Sequence, residues 1–172
     1  EVVPGKTLVM EQPRAGGLSR YTGNPVLTPI KEHPWESKYV FNPGAVRLEG
    51  KVYLVYRAVG EDDISRLGLA ASRDGFRFTE RLDHPIFEPA NESECRGCED
   101  PRLVQLGDRI YMTYTAYDGR VAQIALATIA VEDFLAYRWD RWERLGLVFP
   151  GYKDKDAAMF PEKFGGRYAM LH

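Results

Sequence analysis

The constraint that most limits what this chain can fold into is a duplicated frame. Asn42-Pro43 followed by Val46, Leu48, Tyr53 and Tyr56 matches Asp100-Pro101 followed by Val104, Leu106, Tyr111 and Tyr114, 58 positions apart. The polar head changes between copies while the apolar body persists, as expected of one supersecondary unit used repeatedly. Each body contains strand-length aromatic and β-branched runs, Val52-Tyr53-Leu54-Val55-Tyr56 and Ile110-Tyr111-Met112-Thr113-Tyr114. Gly50-Lys51 and Gly107-Asp108 separate paired runs, because a tight hairpin turn needs a residue that tolerates positive φ. Small-residue strands follow in register, Leu67 to Ser72 and Ile124 to Thr128, so each unit offers three or four short antiparallel strands.

A second echo precedes each body. Asn24-Pro25-Val26-Leu27-Thr28-Pro29 resembles His84-Pro85-Ile86-Phe87-Glu88-Pro89, and the flanking prolines mark edge strands. After Trp139 and Trp142, Gly146-Leu147-Val148-Phe149-Pro150 restarts the cycle, and Phe164 to Leu171 repeats the strand-turn-strand body. Val131 to Tyr137 offers at most one helical turn. Four-stranded repeats of this length predict an all-β protein of the β-propeller type, with units at roughly 24–83, 84–145 and 146–172 in a single domain, 1–172. Two and a half to three such blades leave an apolar wall open, so the expectation is an N-terminal part of a longer propeller, completed by a missing C-terminal half or by self-association.

Composition narrows the functional classes. With 44% hydrophobic and 28% charged residues and a net charge of -2, the chain can bury a core but carries no global field for nucleic acid or an anionic membrane. No apolar run reaches the ~20 residues of a membrane helix, and Glu1-Val2-Val3-Pro4-Gly5-Lys6 lacks the regions of a signal peptide, which places the expectation in the cytoplasm. Cys95 and Cys98 form a C-x-x-C without a second Cys/His pair, and His33, His84 and His172 are scattered. They are read as two reduced thiols in a loop, with no metal site. Asn91-Glu92-Ser93 matches a glycosylation acceptor only formally.

The chemistry-bearing positions cluster at the heads of the units. Asp100 stands beside Glu99 and Arg102 in Gly97-Cys98-Glu99-Asp100-Pro101-Arg102, and Asn42 occupies the corresponding position one unit earlier. Arg57 interrupts an apolar strand, Arg66 follows it, and Lys155, Asp156, Glu162 and Lys163 accompany the third restart. A propeller projects such heads into one funnel, where a carboxylate among cations suits acid catalysis on a polyhydroxylated substrate with an anion nearby. Asp-Pro and Asn-Pro also start ordinary turns, and Lys155-Asp156 and Glu162-Lys163 read equally as surface ion pairs, so spacing alone leaves both readings open.

Several stretches, taken together and in order, resemble glycoside hydrolase family 130, the β-mannoside phosphorylases and related mannosidases. They are Asn24 to Pro29, Phe41-Asn42-Pro43-Gly44-Ala45, Val55-Tyr56-Arg57-Ala58, Leu69 to Gly75, Gly97 to Arg102, Tyr111 to Tyr117 and Lys155 to Lys163. The resemblance implies a five-bladed propeller that cleaves β-mannosides with inorganic phosphate as co-substrate and needs no cofactor, yielding α-mannose 1-phosphate with inversion. It implies Asp100 as the proton donor, Asn42, Arg57, Glu99 and Asp156 as substrate-binding residues, and Arg57, Arg66, Lys155 and Lys163 as phosphate ligands. One carboxylate suffices because phosphate arrives already nucleophilic. Hydrolysis by water, which needs a second carboxylate, and an inert carbohydrate-binding module are the competing expectations.

Overall fold

A computed structural model describes residues 19–172. β1 (Tyr39–Leu48), β2 (Lys51–Val59), β3 (Ser65–Ser72) and the two-residue β4 (Glu80–Arg81) form one antiparallel meander. β5 (Gly97–Leu106), β6 (Arg109–Tyr117), β7 (Ala122–Ala130) and β8 (Glu143–Leu147) form a second, and β9 (Ala158–Phe164) with β10 (Arg167–Leu171) form a separate hairpin. The described residues are all-β apart from short 3-10 turns and a five-residue helix, α1 (Val131–Leu135). Among the described residues no helix is long and apolar enough to cross a membrane.

The sequence repeat is a repeat of pairing. Phe41 opposes Arg57 in the first unit as Glu99 opposes Thr115 in the second, and Tyr53 opposes Ala71 as Tyr111 opposes Thr128 with a one-residue slip. The hairpins turn at Glu49-Gly50, Gly107-Asp108 and Gly165-Gly166.

One face of each sheet enters a shared apolar layer, so the sheets stack. Tyr53 and Val55 of β2 and Leu67, Leu69 and Ala71 of β3 share one buried cluster with Ile110, Met112, Tyr114 and Ala116 of β6. Side chains alternate across a strand, which assigns the odd positions of the first sheet and the even positions of β6 to this layer. Phe134 of α1 packs edge-on against Tyr53, with ring centroids 5.4 Å apart, and Trp142 packs against Phe87 at 5.6 Å, sealing the outer end. On the other side, Thr113 Oγ1 donates to the Ala157 carbonyl at 2.6 Å and ties the second sheet to the third hairpin.

Two expectations change. The proline-flanked stretches are not regular strands: residues 24–29 are irregular, and Pro85 to Pro89 contributes only the isolated bridge of Phe87 to Leu67. In addition, Gly146-Leu147 does not open the third unit, because it pairs with Leu126 and Ala125 as part of β8. Pairing therefore places these segments on the outer edge of the preceding sheet, later than boundaries at 83 and 145 would have it. Proline lacks the N–H for a continuous ladder, which explains why the first of these edges is so short.

Each meander also carries a buried Glu-Tyr-Arg knot that the sequence reading passed over. Glu36 Oε2 accepts from Tyr56 Oη at 2.9 Å and from Arg81 NH2 at 2.5 Å, while Arg81 Nε donates to Tyr56 Oη at 3.0 Å. In the second unit, Glu94 accepts from Tyr114 Oη at 2.7 Å and from Arg144 Nε at 2.8 Å. Both carboxylates are essentially inaccessible. Arg81 lies in β4 and Arg144 in β8, so each knot fastens the outermost strand to the second. Burial pushes both tyrosines above the usual phenol range and keeps them as neutral donors.

Removing a tyrosine hydroxyl leaves a buried polar group without its partner, Glu94 Oε2 in the second unit and Arg81 Nε in the first, which costs about 1–3 kcal/mol. We therefore predict that Tyr114→Phe lowers unfolding stability by about 1–3 kcal/mol in urea titration, and that Tyr56→Phe does the same. An unchanged midpoint with an unchanged slope would show that the knots carry no stability.

Candidate functional site

The site begins with backbone strain. Asn42 and Asp100 have φ of +46° and +50°, and Asp156, ahead of β9, has +65°. Non-glycine residues seldom occupy this region, and Asn and Asp are the side chains that tolerate it best. The first two also precede proline, which ordinarily holds its predecessor extended. Strain of this kind persists only where surrounding structure imposes it. Here the cause is a bulge at the same place in both sheets. The β1–β2 register skips from Phe41 opposite Arg57 to Gly44 opposite Val55, and the β5–β6 register skips from Glu99 opposite Thr115 to Arg102 opposite Thr113. A bulge bends its strand and re-aims the extra residue, which takes Asn42 and Asp100 out of their ladders.

Close approach of β1 to β5 then joins the two heads. A Cβ on Gly44 would lie 2.6 Å from the Pro101 carbonyl oxygen, so no larger residue permits this contact. Asn42 Nδ2 donates to Asp100 Oδ1 at 2.9 Å. Arg57, reaching across from β2, donates through NH2 to Glu99 Oε1 at 2.7 Å and through NH1 to Asp100 Oδ1 at 3.4 Å. Its Nε donates to Ser65 Oγ at 2.9 Å, and that hydroxyl donates to Glu99 Oε1 at 3.1 Å. The Phe41 ring lies 4.8 Å from the guanidinium carbon, giving the cation an apolar face.

The Asp100 side chain is only 3% exposed, against 13% for Glu99 and 20% for Arg57. Both hydrogen bonds to Asp100 fall on Oδ1, and Oδ2 receives none from a described residue. Burial pushes the Glu99 carboxyl above the ordinary carboxylate range; Arg57 and the Ser65 hydroxyl pull it back, and the Asp100 charge pushes it up again. Beside this cluster lies a cleft of about 430 Å³ lined by Tyr39, Phe41, Arg57, Ser65, Arg96 and Glu99 among others. A similar cleft of about 450 Å³ on the far side of β1 and β2 is lined by Val26, Leu27, Val40 and Leu54 and has no carboxylate. Of these two clefts, only the first brings a carboxylate of the cluster, Glu99, to its lining.

Of the residues singled out from sequence, Asn42, Arg57, Glu99 and Asp100 come together. Arg66 does not. It follows Ser65 in β3 and points to the other face, where it binds Asp62 at 2.7 Å and Glu88 at 3.3 Å. Strand alternation therefore sets Arg66, expected among the phosphate ligands, on the face away from Arg57. Lys155 pairs with Asp156 at 3.3 Å, both well exposed, and its charge is felt at Glu99. Lys163 lies over the Tyr168 ring at 4.8 Å on the third hairpin. The C-x-x-C also reads differently: Cys95 is exposed, whereas Cys98 is buried within β5, and both thiols are free. Sequence reasoning overlooked Ser65. The only signal for it was its place at the start of a small-residue strand.

Residues 15–172 match the glycoside hydrolase family 130 description, beta-1,4-mannooligosaccharide phosphorylase, and the chain belongs to that family. It is 41% identical to a 1,2-beta-oligomannan phosphorylase from Thermoanaerobacter sp. (strain X514), over 90% of this chain and 53% of that protein. It is 32% identical to a beta-1,2-mannobiose phosphorylase from the same organism, over 90% of this chain and 54% of the relative. The chain thus spans about half the length of these curated relatives. A solved structure superimposes with a TM-score of 0.80 at 29% identity, covering 94% of this chain and 54% of its own. Its description is that the GH130 family of mannoside phosphorylases contains glycoside hydrolases that target beta-1,2 mannosidic linkages in Candida mannan.

The electrostatics of the cluster generate a prediction. Glu99 should titrate above an ordinary glutamic acid, followed by carboxyl ¹³C chemical shifts, and Arg57→Gln should move it higher still, since the nearest opposing cation is gone. Because the folded value is raised, the stabilising contribution of protonated Glu99 is fully present below its unfolded pKa and is lost as pH rises through the folded one. A Glu99 that titrates at or below the ordinary range would contradict the burial argument.

Proposed function

We propose that this chain forms the sugar-binding and proton-donating half of an inverting β-mannoside phosphorylase. In this reading the two meanders and the third hairpin are two blades and the beginning of a third in a five-bladed propeller. The observation that carries it is the cross-sheet contact of Asn42, Arg57, Glu99 and Asp100, in a chain whose 41%-identical relative is a 1,2-beta-oligomannan phosphorylase.

Asp100 is the proposed acid. Asn42 and Arg57 fix its Oδ1 and leave Oδ2 for a substrate hydroxyl, so that a proton can pass, directly or through the mannose hydroxyl that the family resemblance implies, to the departing oxygen. The leaving sugar gains that proton as the C1–O bond breaks. Phosphate attacks C1 from the opposite face, a C–O bond to phosphate forms with inversion, and the product is α-mannose 1-phosphate. No enzyme base is required, because the nucleophile is already anionic. Of the five N–H donors on Arg57, three are engaged within the cluster, leaving two for a sugar hydroxyl or phosphate oxygen. Lys155 and Lys163, on the third unit, are the further candidates to hold phosphate, and Asp156 to meet the sugar.

Hydrolysis is the second reading, favoured by the hydrolases described within the family. A water nucleophile needs a base on the face opposite the acid. Glu99 is a poor candidate, since it lies in the same cluster as Asp100, on Arg57.

The test uses the protein that carries this chain, β-1,2- and β-1,4-mannobiose, and assays with and without phosphate. We expect mannose 1-phosphate only when phosphate is present, with the β-1,2 disaccharide preferred, and a loss of roughly 10²–10⁴-fold in kcat for Asp100→Asn. Free mannose released at the same rate without phosphate would establish hydrolysis instead. An undiminished Asp100→Asn would remove this residue from the mechanism.

A further inference from the structure

The two meanders touch through their backbones at one paired position, Ser65 opposite Gly97, in parallel register. The contact is tight. A Cβ on Gly97 would fall 2.8 Å from Ser65 Cβ, 3.1 Å from Glu99 Oε1 and 3.2 Å from Ser65 Oγ. Distances below 3.0 Å are not tolerated between carbon atoms, and here the obstacle is a strand-bound Cβ rather than the end of a flexible chain. Gly97 therefore admits the Ser65 side chain, 2% exposed, into the seam between the sheets. There its hydroxyl accepts from Arg57 Nε at 2.9 Å and donates to Glu99 Oε1 at 3.1 Å. One oxygen thus holds both ends of the Arg57–Glu99 pair: the arginine comes from the first sheet, the glutamate from the second, and the serine from the junction itself.

Resting on the phosphorylase reading above, we propose that Ser65 is a positioning residue of the site, one that orients the Arg57 guanidinium and the Glu99 carboxylate at the one backbone-paired position between the two sheets among the described residues. An arginine side chain has several rotatable bonds, and Glu99 alone constrains it at one nitrogen. A second hydrogen bond, at Nε, fixes the plane of the guanidinium. That plane decides whether NH1 meets Asp100 and where the two uncommitted N–H groups point. Displacement of a catalytic group by about 1 Å can cost on the order of 100-fold in rate, so a hydroxyl that touches no substrate can still govern turnover.

The groups facing Glu99 define how the test reads out. They are Arg57 from β2, Ser65 from β3, Asp100 on its own strand and Lys155 from the segment before β9. Ser65 donates to the charged carboxylate and so favours ionisation; removing it makes Glu99 harder to ionise. Ser65→Ala is expected to raise the KM for phosphate by roughly 10-fold or more, with a smaller change in kcat, and to shift the pH dependence of that KM upward as the Glu99 titration moves up. Gly97→Ala, which forces the seam apart without removing any polar group, should reproduce the KM effect.

Thermal melting of each variant separates misfolding from mispositioning, and Glu99 carboxyl ¹³C titration reports on the hydrogen bond without any assay. A folded Ser65→Ala enzyme with unchanged KM, pH profile and Glu99 titration would overturn the proposal. If Ser65→Ala melts too low to assay, a Gly97→Ala enzyme that folds and keeps the wild-type KM overturns it as well. Should the wild type show no phosphorolysis, the functional reading fails separately, and the titration still decides the proposal: a raised Glu99 midpoint in Ser65→Ala supports it, and an unmoved one overturns it.

Discussion

Everything at the candidate site depends on an arginine from one sheet meeting two carboxylates from the next. Arg57 leaves β2 on the face turned towards the second meander and finds Glu99 and Asp100 at the head of β5. Such a contact requires the sheets to lie side by side with their heads level. It also requires the seam to be narrow. Gly44 against Pro101 and Gly97 against Ser65 supply that narrowness, because a side chain at either glycine would need space already held by the Pro101 carbonyl oxygen or by the Ser65 side chain. The buried apolar layer behind them, from Tyr53 and Leu67 to Met112 and Tyr114, supplies the force that holds the sheets together.

The strain at Asn42 and Asp100 belongs to the same arrangement. In a regular strand these side chains would alternate into the ladder and point towards the sheets. The bulge takes each out of its ladder, and the left-handed backbone aims it at the neighbouring head. Repetition of the bulge in successive units is what converts a structural repeat into a polar cluster. Because the head residue is free of packing duties, it can be amide in one unit and acid in the next. The same principle of one frame with exchangeable ends appears at the outer edge, where Glu36 and Glu94 anchor Arg81 and Arg144 through Tyr56 and Tyr114.

How far the sequence could be read varies with distance from the repeat. The strands, the hairpin positions, the all-β class and the family were legible, since they rest on alternation, glycine-containing turns and motifs that recur in order. Asn42, Arg57, Glu99 and Asp100 were legible as a group because three of them occupy repeat heads or interrupt an apolar run. Arg66 was grouped with Arg57 because the two arginines have similar credentials, although they lie in neighbouring strands and only strand alternation tells their faces apart. The proline-flanked segments were read as opening each unit, whereas pairing puts Phe87 and Leu147 on the edge of the unit before. Nothing local distinguishes the two, for an edge strand has the same composition whichever sheet it joins.

By itself the sequence determined the periodicity, the turn positions, the apolar faces that must be covered and the stock of charged residues at the heads. These follow from local chemistry: backbone preferences, side-chain size and the alternation of a strand. Only the tertiary structure decided which charges meet, that Ser65 stands between Arg57 and Glu99, and that Glu99 is held above the range of an exposed carboxyl. The reason is geometric. Contacts 8 to 58 residues apart in the chain depend on how closely two sheets approach, and that distance is set jointly by the glycines at the seam and the core behind it.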